Sequence, residues 1–165
     1  MNNLSGSQLM DVNTALSLPA DQYGNDEALE CQWAMKAFQH AETYFNLIKA
    51  VDTSVLRLTP IDDAIYIVFR EEFPDLKIDV LDLGEMKSTD GKAKWRDLLY
   101  KFEGQVNDWN MGTLLRVDCT DEVNEKNTTL VPRIQFLAIE VARNREGFNK
   151  IIREKFREAQ KPSDS

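Results

Sequence analysis

The sequence predicts a mainly α fold, a compact single-domain helical bundle with little or no β structure. The alternative it leaves is an α+β fold with a small antiparallel sheet. Three observations carry this. Apolar residues recur at i, i+3, i+4 spacing in several long segments. Segments alternating with the strand period are too few to build a buried sheet. At 165 residues the chain has room for one core. The expected divisions are a disordered N-terminus at 1–13, one helical domain at 14–159 and a disordered tail at 160–165.

The segment "ALSLPADQYGND" (15–26) is loop-like, punctuated by Pro19 and Gly24. A helix follows from Asp26 to about Ala50, with Asn25 or Asp26 available to accept from the free N–H groups of its first turn. Trp33, Ala34, Ala37, Phe38, Ala41, Phe45 and Ile48 form its apolar stripe, widened by Tyr44, Leu47 and Val51. A second helix starts at Thr59-Pro60, with Thr59 as N-cap, Pro60 in the first turn and Asp62 completing a capping-box-like spacing. Its core face is Ile61, Ala64, Ile65, Val68 and Phe69, and Pro74 marks its end. Residues 76–92 read as a connector. Leu76, Ile78 and Val80 alternate, but an isolated strand has no partner, so extended loop is expected.

The third helix, about Lys92 to Asp108, carries Trp95, Leu98, Leu99, Phe102 and Val106, with Trp109 a candidate just past its end and Gly104 weakening but not ending it. "GTLLRVDC" (112–119) is ambiguous between strand and helical turns, and 120–129 is a polar loop. Seven of the eleven residues from Arg133 to Arg143 are apolar. As a strand this segment would need layers on both faces, which the chain cannot supply, so helix is predicted. Pro132 then lies in the first turn and Gly147 in the left-handed position after the last. An amphipathic helix from Asn149 to about Ala159 ends the pattern.

Composition bounds function. The net charge of −8 disfavours a general nucleic-acid binder. The charge is uneven: residues 143–161 carry seven Lys/Arg against three Asp/Glu, and the rest 13 against 25. That basic end suits an acidic partner or ribosomal RNA, or is simply a solvated helix face. No apolar run spans a bilayer. The N-terminal stretch lacks the features of a secretory signal, so a cytoplasmic protein is expected. Cys31 and Cys119 are far apart and are expected reduced and buried.

Chemistry-bearing motifs are few. His40 is the sole histidine, and its place on a patterned helix favours a packed or edge role over a base. The glycines at 6, 24, 84, 91, 104, 112 and 147 form no GxG, against dinucleotide binding. "GEMKSTDGKA" (84–93) has the outline of a P-loop but six intervening residues instead of four, and Ala93 where the Mg²⁺-binding hydroxyl belongs. The paired carboxylates, Asp62/Asp63, Glu71/Glu72, Asp79/Asp82 and Asp118/Asp121, read as caps and solvated faces. No catalytic residue, metal site or cofactor is assigned. Trp33 and Trp95 are core by position. Two patches remain as partner-binding candidates: Arg143, Asn144 and Arg145 at a helix exit, and Trp109, Asn110 and Arg116. Each is equally a contact surface or an internal brace, since arginine anchors interfaces but also braces carboxylates and favours a helix C-terminus.

The blocks "ALSLPADQYGND", "WAMKAFQHAETYF", "KWRDLLYKFEGQVNDWNMGTLLRVDC" and "VPRIQFLAIEVARNREGFN" together resemble the eukaryotic polysaccharide-biosynthesis-domain-containing protein family, in order over about residues 14–150. The resemblance implies a mostly α domain. Despite the sugar-related name, it implies a dedicated chaperone for translation elongation factor 1-alpha. Such a protein attends the newly made GTP-binding domain of that factor near the ribosome, with the nascent polypeptide-associated complex as recruiter. Ribosome contact would then be indirect, the GTP would belong to the client, and a monomer is expected. The alternatives are a small cytosolic enzyme of sugar or nucleotide metabolism, and a ribosome-associated adaptor without folding activity.

Overall fold

In the computed structural model residues 27–162 are described. The expected disordered N-terminus, the loop at 15–26 with its capping residues, and residues 163–165 lie outside them. Contacts divide the chain into two units, Met1–His40 and Ala41–Ser165. The first helix, α1 (Glu27–Ala50), contributes to both. Within the first unit Ala37 is buried, whereas Met35 and Phe38, at 37% for the latter, are exposed. Cys31 is a free, exposed thiol, against the expectation that both cysteines are buried; Cys119 is free and buried.

The second unit holds the main core. The C-terminal half of α1 buries Ala41, Tyr44 and Ile48, three to four residues apart as a single helix face requires. A 3₁₀ turn at Thr53–Val55 follows, capped by Asp52, whose side chain accepts from the Ser54 N–H. Helix α2 (Asp62–Glu72) begins two residues later than the Thr59 cap predicts. The reason is visible in the bonding. Buried Asp62 accepts from the Leu58 N–H at 2.7 Å and the Thr59 N–H at 2.8 Å, so 58–61 is a turn folded over the helix start.

Residues 83–101 form two helices, α3 (Leu83–Met86) and α4 (Thr89–Lys101). Asp82 caps the first through the Glu85 N–H, and Ser88 caps the second through the Gly91 N–H. The P-loop-like stretch is therefore a pair of consecutive caps. A side chain at Gly91 would place its Cβ 2.2 Å from the Glu85 carbonyl oxygen, so the sequence needs glycine there. Helix α4 ends at Lys101, short of the expected Asp108. Gly104 adopts the left-handed region at φ 75°, which turns the chain instead of continuing the helix. Phe69, Phe73 and Trp95 stack, with Trp95 centroids 5.6 and 4.5 Å from the two phenylalanines, and join α2 to α4.

The chain then makes an antiparallel pair, β1 (Gly112–Arg116) with β2 (Thr128–Pro132), in register from Gly112 opposite Pro132 to Arg116 opposite Thr128. The fold is thus mainly α with a small two-stranded antiparallel sheet, the α+β alternative. β2 occupies the end of the expected polar loop and the residues leading into the next helix. The connector at 76–81 also finds a partner: Val80 bridges Asp118, the Leu81 N–H donates to Val117 O, and the Cys119 N–H donates to Asp79 O.

Helix α5 (Arg133–Glu146) is buried from Ile134 to Asn144 on nearly every side, with Gln135 the half-buried exception. It contacts α2, α4, both strands and the 3₁₀ turn, which is why its apolar residues are not confined to one stripe. Gly147 caps it at φ 88°, with the Phe148 N–H returning to Arg143 O at 2.8 Å. Helix α6 (Lys150–Gln160) is amphipathic, burying Ile152 and leaving its other faces charged. Among the described residues no helix is long and apolar enough to cross a membrane.

Candidate functional site

The four residues Arg143-Asn144-Arg145-Glu146 leave α5 in four directions, and each is spoken for by another part of the chain. Arg143 is wholly buried. Its Nε donates to Ile78 O at 2.7 Å, Nη1 to Arg116 O and to Glu140 Oε2, both at 2.8 Å, and Nη2 to Val117 O at 3.1 Å. One guanidinium thereby pins the 76–81 connector and the end of β1 to the central helix. Such a fork can serve several carbonyls at once because its five donors are rigidly splayed.

Around it lies a closed polar cluster. Glu140, also fully buried, accepts from Tyr44 at 3.0 Å, Asn149 Nδ2 at 2.9 Å and Arg116 Nη2 at 3.4 Å through Oε1. Arg116, 3% exposed, donates further to Asn149 Oδ1 at 2.7 Å and Cys119 O at 2.6 Å. Its guanidinium stands 5.4 Å from the centroid of the Phe45 ring. Asn144 Nδ2 donates to the Tyr44 hydroxyl at 3.1 Å, and its Oδ1 accepts from Asn149 Nδ2 at 2.6 Å. Burial pushes the Glu140 carboxyl upward, but the Arg116 and Arg143 charges, with the Asn149 bond, outweigh it and hold Glu140 below the usual carboxylate range. Burial, then the Glu140 charge, pushes the Tyr44 hydroxyl well above its ordinary value. The cluster therefore keeps an ionised carboxylate between two arginines and a neutral tyrosine. That is a stable electrostatic arrangement, with its donors largely satisfied by backbone carbonyls.

The outer two residues of the run brace the surface. Arg145 pairs with Asp63 of α2 and lies 5.4 Å from the centroid of the Tyr66 ring. Glu146 accepts from Arg70 Nη2 at 2.6 Å and Nε at 2.8 Å, a bidentate pair, and from the Tyr66 hydroxyl at 2.9 Å.

The structure does not bring the six partner-binding candidates into one patch. Arg116, Arg143 and Asn144 are internal, so for these three the bracing reading replaces the contact surface. Trp109 is half-buried against the core, and its carbonyl accepts from the Ile134 N–H at 2.9 Å, at the N-terminal end of α5. Asn110 beside it is exposed. Arg145 is at the other end of α5, roughly 20 Å away for a helix of that length. Tyr44, Glu140 and Asn149 belong to the cluster and escaped sequence reasoning. Glu140 carried a signal, as a lone carboxylate in an apolar run. Tyr44 and Asn149 carried none, because an aromatic on a helix stripe and an asparagine after Gly147 have ordinary explanations.

The outer surface offers grooves. One of about 300 Å³ is lined by Met86, Trp95, Leu99, Tyr100, Pro132 and Ile134, with Lys92 and Arg96 among its lining. A second, of about 240 Å³, runs between the Thr53 turn and α6 and is lined by Lys150, Arg153 and Arg157. Among the described residues no group of three His, Cys, Asp or Glu side chains could hold a metal ion.

Residues 29–154 match the family described as PBDC1 protein. Protein PBDC1 of Homo sapiens is 56% identical over 145 residues, which is 88% of this chain and 62% of the human protein. This chain therefore spans less than two thirds of that relative. The PBDC1 homolog of Schizosaccharomyces pombe is 41% identical over 140 residues, 82% of this chain and 95% of its own length. A solution NMR structure of a Saccharomyces cerevisiae protein superimposes with a TM-score of 0.71 at 39% identity, covering 84% of this chain and 97% of that one.

Proposed function

Because the chain belongs to the PBDC1 protein family, we propose that it is a dedicated chaperone of translation elongation factor 1-alpha. In this reading it binds the nascent or newly made GTP-binding domain and assists its folding in the cytoplasm, near the ribosome. The nascent polypeptide-associated complex recruits it, so its own ribosome contact is indirect. It works as a monomer, with no catalytic residue or cofactor of its own. An α/β GTPase domain folds through long-range pairings, and its intermediates expose apolar surface. A small acidic domain that masks such a surface reversibly fits the need.

The observation that carries the reading is the use of the Arg143–Glu146 run for internal bracing. Arg143 and Asn144 are buried and bonded to this chain's own connector, strand and helices, which makes them a scaffold and leaves function to exposed side chains. Asn110 and Arg145 are the accessible members of the sequence-derived set, with Trp109 at their margin.

The test is capture from a translating lysate programmed with the GTP-binding domain alone, with the remaining domains of the factor alone, or with an unrelated GTPase. Selective capture of the first supports the reading, and no selectivity overturns it. Arg157→Gln with Lys161→Gln, two exposed residues at the end of α6, separates the adaptor alternative, in which ribosome association is lost while client capture survives. Asn110→Ala and Arg145→Ala are expected to weaken capture with the fold intact. If both capture normally, those residues are not part of the client surface. Stabilisation of the chain by a sugar nucleotide in a thermal-shift screen would favour the enzyme alternative instead.

A further inference from the structure

We infer that the groove between the Thr53–Val55 turn and α6 is an oxyanion site that takes a side-chain carboxylate from an acidic protein segment. Lys150, Arg153 and Arg157 line it together, and their spacing puts them on one helix face. Among the described residues none of the three is in a salt bridge. Two polar atoms of the groove's lining residues are buried and without a hydrogen-bond partner among the described residues: the Thr53 hydroxyl and Arg153 Nε. Thr53 is 2% exposed. Buried donors left unmatched are rare in folded proteins and call for a reason. Here both can donate, and three cationic side chains face two carboxylates around them, so an acceptor carrying negative charge would match them.

The rim narrows the ligand class. Asp52 and Glu154 also line the groove, and the Asp52 Oδ1 already accepts from the Ser54 N–H and hydroxyl. Two carboxylates at the edge tolerate one oxyanion but repel a continuous run of phosphates. The chain's net charge of −8 opposes a polyanionic nucleic acid further. The volume, about 240 Å³, fits a side chain and its neighbours. A protein segment presenting an Asp or Glu meets these conditions, and its binding depends on none of the chaperone reading.

The test is an NMR titration of the ¹⁵N-labelled full chain with a hexapeptide carrying a single glutamate among neutral residues, inorganic phosphate and a hexauridine RNA. The peptide should produce saturable shifts at Thr53, Arg153 and Arg157 that vanish at high salt, and it should bind tighter than either other probe. Arg153→Gln with Arg157→Gln should weaken it by about tenfold or more. Lys155→Gln removes one positive charge from the same helix outside the groove and should leave affinity unchanged. Thr53→Val keeps the shape and removes the unmatched hydroxyl, so it should raise the melting temperature while weakening the peptide. That pair of opposite signs separates a ligand role from a packing role. Absence of saturable shifts, equal loss with Lys155→Gln, unaltered affinity in Thr53→Val, or binding of phosphate or RNA as tight as the peptide would each overturn the assignment.

Discussion

Arg143 and Arg145 are two residues apart in a helix, and their burial makes them chemically different. Removing Arg143 leaves Glu140 Oε2 and three backbone acceptors unmatched in the interior, a loss of about 3–5 kcal/mol for breaking a buried pair from one side. Arg143→Met should therefore lower the urea midpoint severely. Arg145→Ala, which breaks a solvent-exposed pair with Asp63, should leave it almost unmoved. Equal midpoints for the two variants would contradict the bracing role. Glu140 adds a pH dependence. Its folded carboxyl titrates below the usual range, so the unfolded chain binds its proton first as pH falls. Its stabilisation is fully present above the unfolded value of about 4.3 and is lost as pH drops through the lower folded value. Denaturant midpoints between pH 3 and 7 should fall on the acid side, and the slope should be shallower in Glu140→Gln. It should not vanish, because Asp63, Asp118 and Glu146 are also lowered.

At the scale of elements, the helix boundaries were set by turn chemistry more than by apolar periodicity. Periodicity carried the third helix on to Asp108, whereas α4 stops at Lys101 and the chain turns through Gly104. Val106 and Trp109 still reach the core from that turn, which is why a helical pattern misread it. The start of α4 depends on Gly91, where the Ser88 cap and the Glu85 carbonyl crowd the backbone. Gly91→Ala forces the α3–α4 junction to shift and should destabilise by about 1–3 kcal/mol, as overpacking does. Gly104→Ala meets no atom within 4 Å, so its cost comes from the left-handed backbone alone, about 1–2 kcal/mol. Thermal unfolding of the two variants measures both. A larger loss for Gly104→Ala would mean the junction can relax around an added methyl.

At the scale of the molecule, α5 is the element against which the second unit is assembled. Both strands, α2, α4 and the Thr53 turn contact it, and the Arg143 and Glu140 side chains tie it to the connector, β1 and α1. Its middle should open only when that unit unfolds as a whole. Native-state hydrogen exchange should give Leu137–Val141 amides opening free energies equal to the global value, with α6 well below it. Protection of α6 equal to that of α5 would refute this hierarchy. The charge division also matters here. A chain that is acidic over most of its length carries a positive face on α6, which suits the docking of an acidic partner.

Helical periodicity and the glycine after Glu146 were legible in the sequence because each is a local effect; the cap expected at Thr59 was not, since α2 starts beyond Ile61 and Asp62 folds the preceding turn over it. The family was legible too, carried by ordered blocks. Gly147 takes the left-handed position its placement predicts, and α5 is a helix, packed against a two-stranded sheet too small to take it in as a central strand. Pairing was not legible in the same way. A five-residue strand is defined by its partner, and β1, β2 and the 80–118 bridge join segments whose own patterns are indifferent. The fate of Arg143 was equally non-local. Its sequence context suits a solvated helix exit and a buried brace alike, and its acceptor at Ile78 lies 65 residues away. Only when the fold brings carbonyls and a carboxylate around the guanidinium does burial become the lower free energy, because each of those bonds replaces one to water.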